Sequence, residues 1–158
     1  LIKLYSAMTM KKILAVASIG GHWIQLLRIM KGLEDKYEIS YLSTHDKCAT
    51  MVQGHTFHKL LEFSRWNWYK LFPAFIHDLN LIRKEKPDVV ITTGAAPGLI
   101  VLFAAFCLRK KTIWIDSIAN VNHLSLCGRV ASKFATYTYT QWKELETKKI
   151  QFMGNVIG

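Results

Sequence analysis

Acidic residues are scarce in this 158-residue chain, with 11 Asp and Glu against 21 Lys and Arg and a formal net charge of +10. That imbalance favours anionic partners, whether nucleic acid, an acidic membrane surface or a phosphorylated ligand, and does not choose among them. Cysteine is also sparse: Cys48, Cys107 and Cys127 are odd in number and widely spaced. They suggest neither a disulfide framework nor a metal-ligand cluster, so no metal site is expected and the thiols read as reduced and intracellular. Cys107 lies inside an apolar run and is expected in the core. That run, Leu99 to Leu108, is the longest in the chain at ten residues, half of the roughly 20 that span a bilayer as a helix. The N-terminal stretch lacks the apolar length and cleavage pattern of a signal peptide; the natural start is expected at Met8 or Met10. Internal repeats, low-complexity tracts and linkers are missing. Neither G-x-G-x-x-G nor G-x-x-x-x-G-K-[ST] occurs, so nucleotide binding through those motifs is not supported.

What is present is a core. Hydrophobic residues make up 51% of the chain and aromatics 12%, enough apolar surface to offset chain entropy. The segment 12–17 reads as a buried strand ended by Gly20-Gly21. Trp23, Leu26, Leu27, Met30 and Leu33 then recur at helical spacing, with Gln25, Arg28 and Lys31 between them on the polar side. Residues 37–43 alternate as a second strand, which makes a parallel β-α-β crossover. A shorter strand is expected within 56–63. The stripe Trp68, Leu71, Phe72, Phe75, Leu79 and Ile82 predicts a helix in which Pro73 either makes a kink or marks a first turn, and Pro87 closes it. Further strands are predicted at 88–93, 112–116 and 135–140, with a last short strand or loop at 150–156. Helices are predicted from Pro97 to Leu108 and over 124–133. This alternation predicts a single α/β domain over 11–158, a Rossmann-like parallel sheet with helices on both faces. Residues 1–10 read as a leader or remnant.

In such sheets ligands bind at the carboxyl ends of the strands. That rule selects three segments: 18–22, 93–98 and 116–123. Gly20 and Gly21 precede a helix whose free amides attract anions, although glycine there also permits a sharp turn. His22, at the first helical turn, can hydrogen-bond a ligand or accept a proton, or it can cap or pack locally. Gly94, Ala95 and the small residues through Gly98 form a second loop in which ligand approach and helix–strand packing compete. Asp116 and Asn120 belong to a polar cluster suited to sugar hydroxyls or amides, and Asn122 is a candidate cap for the next helix. Basic and aromatic residues interleave at Arg65, Trp66, Trp68 and Lys70, as at a membrane interface or a base-stacking surface. Phe72 and Phe75 read as core.

The segments "SIGGHWIQLL", "KPDVVITTGAAPGL", "IWIDSIANVNHLSLCGRVAS" and "QFMGNVIG" occur in an order that resembles the N-terminal half of a GT-B glycosyltransferase. They are most similar to the membrane-recruiting subunit of the split UDP-N-acetylglucosamine transferase of lipid-linked oligosaccharide synthesis. Within that group they look like its bacterial PssD-like homologues in capsule and exopolysaccharide synthesis. The resemblance covers Lys11 to Gly158. It implies a GT-B acceptor domain, inactive or nearly so without a separate donor-binding glycosyltransferase subunit. The UDP-sugar donor is then shared with that partner, and this chain alone binds no cofactor. The implied acceptor is a polyprenyl-diphosphate-linked sugar at the cytoplasmic face of the membrane, approached peripherally. By motif, Gly20, Gly21 and His22 face the acceptor diphosphate with His22 as the catalytic candidate. Gly94 and Ala95 match the second glycine loop, and Asp116 and Asn120 a strand-end motif. Arg65, Trp66, Trp68 and Lys70 are left to face the membrane. The alternative is a basic Rossmann-like module for nucleic acid, motivated by charge alone; the resemblance implies no nucleic-acid partner.

Overall fold

A computed structural model describes residues 11–62 and 65–157, with only the backbone of Arg65 and Trp66. Seven strands form one parallel sheet in the order β3-β2-β1-β4-β5-β6-β7. They are β1 (Lys12–Ala17), β2 (Glu38–Ser43), β3 (Thr56–Lys59), β4 (Val89–Thr92), β5 (Lys111–Ile115), β6 (Tyr137–Thr140) and β7 (Ile150–Phe152). The helices are α1 (Gly21–Met30), α2 (Leu71–Glu85), α3 (Ala95–Cys107) and α4 (Leu126–Ala131), with 3-10 turns at Asp46–Met51, Arg65–Lys70 and Lys143–Leu145. This is the expected Rossmann-like architecture. Strand order reverses between β1 and β4, the topological switch point at which such sheets take their ligands.

The two faces of the sheet follow from strand periodicity. Leu14 and Val16 of β1, Val90 of β4 and Trp114 of β5 point to the face covered by α2, α3 and α4, where Ile82, Val101, Leu102, Ala105 and Ala131 complete the cluster. Ile13, Ala15 and Ala17 of β1 with Ile91 of β4 point to the other face, where α1 lays down Trp23, Leu26 and Met30. Gly98 is a contact point between α3 and β4: a β-carbon there would collide with the Thr92 hydroxyl.

Several local expectations are corrected. The helix after β1 is shorter than its apolar stripe, ending at Met30 with turns over 31–36. Of the two roles open to Pro73, the first turn of α2 is the one it takes, and there its missing N–H has no intrahelical acceptor to lose. Cys107 is exposed, because the last turn of α3 rotates it off the sheet, and Cys48 is the buried thiol. The cap of α4 is Ser125, whose hydroxyl accepts from the Gly128 amide, and not Asn122. Phe72 is 71% exposed; in α2 the inward line is Ala74, Asp78 and Ile82, and Phe75 is the partly buried aromatic that packs against it.

Two carboxylates of α2 differ sharply in environment. Glu85 accepts from Lys12 Nζ (2.7 Å), His58 Nε2 (2.7 Å) and Ser40 Oγ (3.2 Å), and so staples α2 to three strands. Burial pushes its carboxyl up, but the Lys12 and His58 bonds outweigh burial and hold it below the usual glutamate range. Asp78 is 3% exposed and is pushed up to about 6 by burial, with only the His77 ring (3.1 Å) pulling the other way. An acid raised in the fold favours the folded state in its protonated form. Its contribution is complete below the ordinary aspartate value of 3.8 and is lost as pH rises through about 6. Asp78→Asn is therefore expected to raise unfolding free energy at pH 8 by on the order of 2 kcal/mol, and to leave it nearly unchanged at pH 4. Paired denaturant titrations at the two pH values check this.

Candidate functional site

The loops leaving β1 and β4 lie side by side, because those strands pair with Val16 opposite Thr92. Each loop ends in a glycine that leads directly into a helix. Gly20 holds φ 102°, ψ −143° before α1, and Gly94 holds φ 132°, ψ −168° before α3. Both conformations are essentially closed to residues with a β-carbon. Neither helix has a side-chain cap. The first backbone N–H groups of both, only those of Ala95 and Ala96 before Pro97 in α3, therefore remain for water or a ligand, and the His22–Thr93 contact brings the two positive dipole ends close together. Ala95 follows with φ 66°, a second strained residue in the same loop. Gly21 differs: its φ is ordinary and a β-carbon would meet nothing within 4 Å.

His22 joins the two loops. Its Nδ1 lies 2.9 Å from the Thr93 carbonyl oxygen, and the Thr93 hydroxyl donates back to the His22 carbonyl at 2.7 Å. A carbonyl only accepts, so Nδ1 carries a proton and, in the uncharged ring, Nε2 keeps the lone pair. No hydrogen-bond partner for Nε2 is found among the described residues. The ring lies over Gly94, where a β-carbon would stand 2.7 Å from Cε1 and 2.8 Å from Nδ1. Gly94 thus serves twice, once for its backbone angles and once for the space the imidazole takes.

The third loop, residues 116–125, is organised from within. Asp116 is 2% exposed. Its carboxylate accepts from Trp114 Nε1 (3.0 Å), Asn120 Nδ2 (2.9 Å), and the backbone amide (2.9 Å) and hydroxyl (2.6 Å) of Ser125. Gly128 leaves room for it, since a β-carbon there would come within 2.7 Å of Asp116 Oδ1. The structure brings Asp116 and Asn120 together as expected but turns them on each other and on the loop backbone. Four donors occupy the carboxylate, so it shapes the loop.

Two contributors were not apparent in the sequence. Gln25, expected on the polar side of its helix, is 4% exposed and bonds the third loop. Trp142 donates through Nε1 to the Ile118 carbonyl at 2.8 Å. Their signal was absent because a glutamine between apolar residues on a helix reads as solvent-facing until the neighbouring loop is known.

The turn Arg65–Lys70 leads into α2. Trp68 is 74% exposed, and Tyr69, Lys70, Leu71 and Phe72 are exposed with it. The side chains of Arg65 and Trp66 lie outside the described residues. The turn enters α2, which runs antiparallel to the strands, so it sits at the carboxyl end of the sheet, as the three loops do. Among the described residues no helix is long and apolar enough to cross a membrane, and no group of His, Cys, Asp and Glu is placed to hold a metal ion.

The clasp makes a prediction about stability. Gly94→Ala must strain the backbone and displace the His22 ring, and is expected to cost about 1–3 kcal/mol. Gly21→Ala meets open space at an ordinary φ and should leave the melting temperature unchanged. Thermal unfolding of the two variants separates the roles of the adjacent loops.

The profile of a family described as oligosaccharide biosynthesis protein Alg14 like matches residues 13–156. The chain is 24% identical to the UDP-N-acetylglucosamine transferase subunit ALG14 of Mus musculus, over 92% of this chain and 83% of that protein. It is 33% identical to the Yarrowia lipolytica subunit of the same name, over 48% of this chain and 38% of that one. It is 24% identical to the UDP-N-acetylglucosamine--N-acetylmuramyl-(pentapeptide) pyrophosphoryl-undecaprenol N-acetylglucosamine transferase of Geobacillus thermodenitrificans, over 95% of this chain and 46% of that protein. Among solved structures, Acinetobacter baumannii MurG superposes with a TM-score of 0.77 at 16% identity, over 90% of this chain and 45% of that one. The UDP-N-acetylglucosamine 2-epimerase of Rickettsia bellii gives 0.71 at 12% identity, over 94% and 46%. The chain spans less than half the length of these two structures, and the likeness to them concerns the fold. The match over 13–156 takes in every strand of the sheet and all three loops, and on it the chain belongs to the Alg14-like family of oligosaccharide biosynthesis proteins.

Proposed function

We propose that this chain is the acceptor-side subunit of a two-component UDP-N-acetylglucosamine transferase, in lipid-linked oligosaccharide synthesis or in the related capsule and exopolysaccharide synthesis of PssD-like proteins. The observation that carries this reading is the clasped pair of helix N-termini at the switch point. Two uncapped helix N-termini, held together by His22 and Thr93, form a cradle for a doubly charged diphosphate. Gly20, Gly21, Gly94 and Ala95 line it. The open space over Gly21, where no backbone angle requires glycine, suits close approach by a phosphate. The loop held by Asp116 and Asn120 flanks the acceptor.

In this reading His22 Nε2 faces the acceptor hydroxyl. As that oxygen bonds to the anomeric carbon of the donor sugar and the bond to UDP breaks, Nε2 takes the hydroxyl proton. The Thr93 carbonyl holds the ring through Nδ1 and stabilises the imidazolium that forms. The UDP-sugar is held mainly by the donor-binding partner. Membrane contact is peripheral, at the cytoplasmic face, through the Arg65–Lys70 turn and the start of α2, where Trp68 and Phe72 present apolar surface beside Lys70.

The test is reconstitution. This chain with its partner, a UDP-sugar and a polyprenyl-diphosphate-linked acceptor is expected to transfer sugar, and either chain alone is not. Full turnover by the isolated chain would sink the split-enzyme reading. His22→Ala is expected to lower the rate of the pair by on the order of 10²-fold or more, and His22→Gln, which hydrogen-bonds but takes no proton, by nearly as much. A His22→Gln rate near the wild type would make the ring a ligand rather than a base. Trp68→Ala combined with Phe72→Ala should weaken binding to anionic vesicles by about tenfold or more without changing the melting temperature, as measured by vesicle co-sedimentation.

A further inference from the structure

The geometry points to Gln25 as a positioning residue that couples the His22-bearing helix to the third loop, so that the diphosphate cradle and the loop flanking the acceptor move as one unit. This rests on the proposed acceptor site and adds a residue that the motifs did not single out. His22 and Gln25 are three residues apart on α1 and so neighbour each other on one side of it. The first bonds the loop after β4. The second bonds the loop after β5. Gln25 Nε2 donates to the Asp116 carbonyl at 3.0 Å, and its Oε1 accepts from the Ile118 amide at 3.0 Å. One carboxamide thus spans the turn at both ends, a match that requires a donor and an acceptor on the same planar group.

The remaining contacts of that turn show why this link matters. The Ile118 carbonyl is taken by Trp142 Nε1 at 2.8 Å, and the Asp116 amide by the Tyr139 carbonyl at 2.8 Å. The Asp116 side chain is committed to Trp114, Asn120 and Ser125. All of these tie the loop to β5, to β6 and the segment after it, or to itself. Among the described residues, only Gln25 provides a hydrogen bond from the loop to α1. Gln25 is also 4% exposed. Losing it therefore leaves the buried Asp116 C=O and the part-buried Ile118 N–H without their partner, and the loop would relax away from the helix.

Two variants divide the interaction. Gln25→Met keeps the shape and removes both bonds. Gln25→Glu keeps an acceptor for the Ile118 amide and loses the donor to Asp116. In the chain alone, Gln25→Met is expected to speed hydrogen exchange at the Ile118 amide by about tenfold or more, with Gln25→Glu between it and the wild type. Gln25→Met is also expected to shift the ring 15N resonances of His22, the signature of its Nδ1–H tautomer. In the reconstituted pair it should raise the KM for the lipid-linked acceptor by about tenfold while leaving the KM for the UDP-sugar unchanged. If Gln25→Met lowers the melting temperature but moves neither the His22 resonances nor the acceptor KM at a temperature well below melting, Gln25 only stabilises the fold and the proposal is overturned. If the wild-type pair transfers no sugar, the reading as a transferase subunit fails, and the His22 resonances alone decide whether Gln25 positions the helix.

Discussion

The site depends on the reciprocal pair between His22 and Thr93. Two strands that are neighbours in the sheet, yet separated by more than 70 residues in the chain, deliver their loops to the same place. Two hydrogen bonds of 2.9 and 2.7 Å then lock one loop to the other. Everything proposed about ligand binding follows from that clasp. It fixes which ring nitrogen carries the proton, keeps two helix N-termini together despite the mutual repulsion of their positive ends, and requires a glycine at position 94 both for φ 132° and for the volume of the imidazole.

The third loop uses a buried carboxylate for an analogous purpose. An unpaired charge at the 2% exposure of Asp116 would be costly. Four donors offset that cost and, in doing so, fold residues 116–125 around the carboxylate. Asp116 is therefore better understood as an organiser than as a ligand. Glu85 does the same at the opposite end of the sheet, where Lys12, His58 and Ser40 converge on it. Asp78, whose one hydrogen-bond partner among the described residues is its chain neighbour His77, keeps its proton to higher pH. The contrast between Glu85 and Asp78 shows partner supply, more than burial, deciding how a carboxylate behaves.

Much of the fold was legible in the sequence, because strand and helix periodicities are local. The alternation of apolar runs with helical stripes, together with glycines at the strand ends, was enough for a parallel sheet and for the three loops at its carboxyl edge. The readings that failed were those in which one periodic stripe was asked to say which way a residue faces. Phe72 continued the apolar spacing of α2 but lies off its buried line. Cys107 lay near the end of an apolar run that was longer than the buried face of α3. Gln25 sat between apolar residues on α1 and read as solvent-facing, yet it faces a loop that begins more than 90 positions later.

The sequence by itself determined the elements, their order and the residue types at each strand end, since propensity, glycine placement and hydrophobic period act over a few residues. Only the tertiary structure decided what those residues do there. The tautomer of His22, the inward turn of Asp116 and the burial of Gln25 are all set by hydrogen bonds to partners 71 to 93 positions away or by donors gathered from a folded loop. Such bonds exist only once the sheet has brought the carboxyl ends of β1, β4 and β5 side by side.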